Sequence, residues 1–115
     1  MFEASADELD WHRRLFDVAC DAEESRRWLE AYCIFEHLSV IATPDLELSL
    51  HLARAALHVG ETQIARDALH KIDCMMEAAE PAVRTAFGAD VEELRGKVRG
   101  LSMELRLDGK SSVGA

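Results

Sequence analysis

Apolar residues recur along most of this chain at spacings of three and four, the signature of a helix with one buried face. The densest run lies in the middle, at residues 46–72. Leu46, Leu50, Ala53 and Leu57 form one stripe, and Leu48, Leu52, Ala55 and Val59 form a second about half a turn away. Only Glu47, His51, Arg54 and His58 leave a polar edge, so this segment is expected to be a helix sandwiched between neighbours. The alternation in LELSL would also suit a strand, but the leucine- and alanine-rich run to Val59 favours helix. Gly60 stands where the chain must reverse, because glycine takes a left-handed cap at little steric cost. Thr62 is expected to cap the next helix, whose stripe is Ile64, Ala65, Ala68, Leu69 and Ile72. Alanines at 53 and 65 would let the two backbones approach closely, giving an antiparallel hairpin.

The flanking segments extend the same pattern. Ser5 and Glu8 read as a capping box opening a helix that turns Trp11, Leu15, Val18, Ala19 and Ala22 inward. The stripe breaks at 22–25, and a second helix is expected from near Ser25 with Trp28, Ala31, Tyr32, Phe35, Leu38 and Ile41 inward. Thr43-Pro44-Asp45 ends it, since the residue before proline is pushed out of helical conformation. Beyond a fourth helix reaching about Ala79, Pro81 is expected to open a short helix closed by Gly88. Asp90 and Glu93 then read as another capping pair. The final helix carries a heptad-like seam of Val91, Leu94, Val98, Leu101 and Leu105. That seam is either a lid over the last hairpin or a pairing surface for another chain. The fold class is therefore all-α: an antiparallel helix-hairpin array in one domain, residues 1–107, with 81–107 as its C-terminal helices and 108–115 a flexible tail.

A test of the chain against itself finds a repeat at an offset of 34 residues. Leu52, Ala53 and Ala56 fall on Val18, Ala19 and Ala22, while Ala65, Leu69 and Ile72 fall on Ala31, Phe35 and Leu38. Ser49 falls on Leu15 and breaks the match. On these residues the chain resembles the tetratricopeptide repeat family, whose unit is a helix–turn–helix of that length. Two units, 12–45 and 46–79, would be covered. The family's turn glycine is present as Gly60 but is Arg26 in the first unit. Its aromatic signature positions hold Ser49 and Ala56, and its closing proline is Glu77, with Pro44 one place late in the first unit. A four-helix array of similar periodicity is the competing structural reading.

Charge narrows the partners. Residues 1–50 hold twelve acids against four bases, and residues 51–115 ten against nine, for a net −9 overall. Phosphates would be repelled by such a protein, so no nucleic acid is expected. A basic or amphipathic protein segment is a better guest. No membrane span and no secretory leader are expected, and three widely spaced cysteines fit a reduced, cytoplasmic protein better than a disulfide scaffold. Cys33/His37 and His70/Cys74 have zinc-ligand spacing within each pair, but nothing in the sequence joins the pairs, and core-edge roles are the simpler reading. No metal and no cofactor are expected. Glycine-rich phosphate loops, GxSxG and HExxH are missing from the sequence, and Glu23/Glu24 and Glu92/Glu93 are neighbours that point to different sides of a helix. Cys74 beside His70 and Lys71 comes nearest to a reactive thiol, and weakly. An enzyme is not expected.

The family resemblance implies a groove lined by the first helix of each unit, at Arg13, Phe16, Cys20, Glu47, Leu50, Arg54, Leu57 and His58. Such a groove would seat an amphipathic helix or an extended peptide. Two units are few for a continuous core, so a second copy or a different subunit would complete it, as homodimer or heterodimer. A small acidic helical protein of this kind is similar to the tetratricopeptide-like chaperones of bacterial type III secretion. The expected function is thus a non-catalytic protein-interaction module, a small bacterial chaperone or adaptor. A structural subunit or homo-oligomerising protein is the alternative, and a zinc-binding module ranks behind both.

Overall fold

A computed structural model describes the backbone of residues 6–42 and 45–114. It contains five helices and, among the described residues, no strand: α1 (Ala6–Glu24), α2 (Trp28–Ile41), α3 (Leu46–Val59), α4 (Thr62–Ala78) and α5 (Pro81–Gly114). Each helix packs on the next, and α5 also reaches back to α3. The result is an all-α array of antiparallel hairpins. The apolar pattern of α3 explains its central place: Leu48, Leu50, Ala53, Ala55 and Ala56 are buried, so both stripes are covered. Phe35 and Ile72 are the largest side chains wholly out of solvent. Around them seven alanines, from Ala19 and Ala22 to Ala65, are also fully buried, so the helix backbones meet without large spacers.

The two hairpin turns are copies of one geometry, displaced by 34 residues. Arg26 and Gly60 are the two described residues with left-handed φ, at 60° and 85°. The next residues, Arg27 and Glu61, have φ/ψ of −87°/69° and −83°/69°, and α2 and α4 start immediately after them. Arg27 N donates to Ala22 O and Glu61 N donates to Ala56 O, each at 2.8 Å. These are helix-terminating bonds that satisfy carbonyls left over at the end of α1 and α3. The two turns therefore share one backbone geometry, although the first uses arginine at the left-handed position.

Several elements differ from the sequence expectation. Helix α2 starts at Trp28, three residues later than expected, because 25–27 form the turn. Thr62 is the first residue of α4 and Glu61 occupies the cap position, with no side-chain cap bond. The working cap is Asp45, whose carboxylate accepts from Leu48 N at 2.7 Å and starts α3. Gly88 does not end a helix, and Asp90 and Glu93 cap nothing: α5 is continuous from Pro81 through Gly88 to Gly114. Phe87 joins Val91, Leu94 and Val98 on the core side at spacings of four, three and four. One seam thus crosses the glycine, and its burial outweighs the roughly 1 kcal/mol that an interior glycine costs. The same helix runs through the stretch expected as a tail from 108. Ser5 lies outside the described residues, as do the side chains of Glu8, Leu101 and Leu105.

Candidate protein-binding surface

Between α1 and α3, the helices expected to line the inner wall, stands a half-buried carboxylate. Glu23 Oε2 lies 3.0 Å from His51 Nδ1, and Arg54 Nη1 donates to Glu23 Oε1 at 3.2 Å. Burial alone would push the Glu23 carboxyl up; the hydrogen bond and charge of His51, then those of Arg54, outweigh it and hold it below its usual value. The His51 ring is fixed in turn by stacking on Phe35 (centroids 5.1 Å apart) and by the edge of Phe16 at 5.3 Å. At the far end His58 stacks flat on Trp28, with centroids 3.7 Å apart. Burial, then Lys97 and Arg54, lower the pKa of His58.

This wall spends most of the predicted groove on the chain's own packing. Phe16 sits edge-on against Phe35 and is half-buried. Leu57 packs on the core, and Arg54 is held by Glu23. Leu50 is only 5% exposed, and Leu94 of α5 lies across from it. Val91, Leu94 and Val98 are buried within the single chain, and Arg95 fastens α5 to α4 by a two-pronged pair with Asp73 at 2.6 and 3.1 Å. The seam therefore covers its own hairpin over these residues. Of the remaining groove positions, Arg13 and Glu47 are exposed and Cys20 is half-buried. Burial, with Glu23, Glu47, Asp17 and Glu24 around it, pushes the Cys20 thiol up to about 11, so it is a thiol rather than a thiolate near neutrality.

Apolar surface appears instead on the opposite flank of the first hairpin. Trp11 and Val18 were expected inside, yet they are 56% and 47% exposed, and Ile41 is 41% exposed. Trp11, Leu15 and Val18 share one side of α1 at spacings of four and three, about 120° round the helix from the Phe16/Glu23 side that meets α3. On α2, Ile34 and Ile41 are seven apart, on the side away from Glu36 and Ser39, which face α3 and α4. Both sets flank the α1–α2 contact: Leu15 and Ile34 pack on the core and Ala22, on the same side of α1, is fully buried, which leaves Trp11, Val18 and Ile41 as the exposed edge. Carboxylates border this strip: Asp7, Asp10 and Asp21 on α1 and Glu30 on α2. Arg14 stands among them and pairs with Asp10 at 3.0 Å. Periodicity assigns Trp11, Val18 and Ile41 to the core; the missed signal was that α1 carries a wider apolar arc than one neighbour can cover.

Cys33, His37, His70 and Cys74 are all exposed, and no cluster of metal-ligand residues occurs among the described residues. Nor is any described helix long and apolar enough to cross a membrane. No protein-family model, curated protein or solved structure matches the chain.

Proposed function

We propose that this protein is a non-catalytic protein-binding module, a small adaptor or chaperone that holds a basic amphipathic helix of another protein. The observation that carries this reading is the exposed strip of Trp11, Val18 and Ile41 on the outer flank of a hairpin whose other side is packed. Contiguous apolar surface bordered by charge is characteristic of docking sites. Charge selects the occupant. Four carboxylates around the strip stand against two arginines, Arg14 paired with Asp10 and Arg27 with Glu30, and the remaining negative charge favours lysine- and arginine-bearing partners over a second copy of the same acidic face. The sequence resemblance to the tetratricopeptide-like chaperones of type III secretion would make such binding a chaperone's role.

The indole of Trp11 reports occupancy directly. In a Trp28→Phe variant, where Trp11 is the remaining tryptophan, a Leu/Lys amphipathic helical peptide should blue-shift the emission saturably, and a Leu/Glu counterpart should not. Val18→Glu should weaken binding at least tenfold while the helical circular dichroism is unchanged. Equal response to both peptides, or an unaffected Val18→Glu variant, would overturn the reading.

A further inference from the structure

A separate cleft opens between α2, α3 and α4, on a side to which no α1 residue contributes. Its floor is Leu48, Leu52, Ile64 and Ala68, with Ser49 among them, and its volume is about 180 Å³. Ser49, buried at 8% exposure, is a small residue in this floor where a larger side chain would take up the space. An apolar cavity of about 150 Å³ holds a benzene ring, so this cleft has room for one aromatic group.

The rim supplies a preference. Glu36 and Asp67 stand on α2 and α4, with Lys71 the one cation among the described residues that line the cleft. The Ser39 hydroxyl donates to the Glu36 carbonyl at 2.6 Å, so it is engaged by its own helix rather than offered to a guest. Asp67 accepts from the Gln63 side-chain amide at 3.0 Å. A ring entering between these carboxylates is best accompanied by a cation. We propose that the cleft seats a single aromatic side chain of a partner protein segment that carries lysine or arginine beside it. This is a second point of attachment, independent of the outer flank of α1–α2.

The test uses two blocked dipeptides, acetyl-Trp-Lys-amide and acetyl-Trp-Glu-amide, with the full chain observed by amide NMR. The lysine peptide should shift the amide signals of Ser49, Leu52, Ile64 and Ala68 saturably and bind at least threefold more tightly than the glutamate peptide. Ser49→Leu, which fills the cleft, should weaken the lysine peptide at least tenfold. The Glu36→Gln/Asp67→Asn double variant alters only exposed side chains and should bring the two peptides to equal affinity, which decides the matter even if Ser49→Leu fails to fold. No saturable shift at these amides, or a lysine preference that survives the double variant, would overturn the proposal.

Discussion

Replacing Arg26 by glycine should stabilise this protein, although it removes a charged side chain and adds no contact. Arg26 holds φ at 60°, a conformation that costs an L-residue about 1–2 kcal/mol. Glycine removes that strain but loses more freedom on folding, which takes back about 0.5–1 kcal/mol. The net gain is about 0.5–1 kcal/mol, a rise of about 2–5 °C in Tm for a chain of this size. The exposed Arg26 side chain is controlled by Arg26→Ala, which keeps the strained backbone and should stay near the parent. Gly60→Ala is the mirror experiment. A Cβ there would meet nothing within 4 Å, so its cost is the left-handed φ of 85° alone, about 1 kcal/mol of destabilisation. Urea denaturation followed by circular dichroism measures all three. Equal stability of Arg26→Gly and Arg26→Ala, or a neutral Gly60→Ala, would refute the claim that the two turns share one left-handed geometry.

Other parts of the structure can be tested in the same assay. Phe35→Ala should cost about 3–5 kcal/mol, because Phe35 is fully buried between α1 and α3 side chains. Glu23→Gln should cost about 1–3 kcal/mol by leaving His51 and Arg54 without their carboxylate. Stability should also fall on acidification in two stages. His58 is depressed in the fold, so its contribution is complete above the unfolded value of 6.5 and declines as pH falls below it; Glu23, also depressed, adds a second loss below about 4.5. His58→Gln should remove the first stage and Glu23→Gln the second. Leu94→Ala should cost about 2 kcal/mol and speed amide exchange in α5 ahead of α2 and α3.

The hairpin architecture was legible in the sequence because it rests on local signals. Gly60 marks a reversal, the alanines at 19, 22, 53, 56 and 65 mark close helix approach, and the 34-residue offset aligns them. Arg26 blurred the end of the first turn, setting the expected start of α2 three residues early, since arginine is not a residue that left-handed backbone selects. Periodicity gives the spacing of a stripe but not the number of neighbours that cover it, and this is why Trp11 and Val18 read as core. The continuity of α5 was missed for a related reason: Gly88 was weighed as a breaker before Phe87 was counted with Val91, Leu94 and Val98. Leu50 belongs to the predicted groove by register, but its burial depends on Leu94 some forty residues later, a tertiary fact that no local window contains.

Mapping where a basic amphipathic helix lands addresses the central claim without intermediaries. Amide and indole NMR signals of the full chain, followed as the Leu/Lys peptide is added, should move at Trp11, Leu15, Val18, Ile34 and Ile41 and stay still along α5. Perturbation concentrated at Arg13, Cys20 and Glu47, or no saturable perturbation at all, would contradict the account.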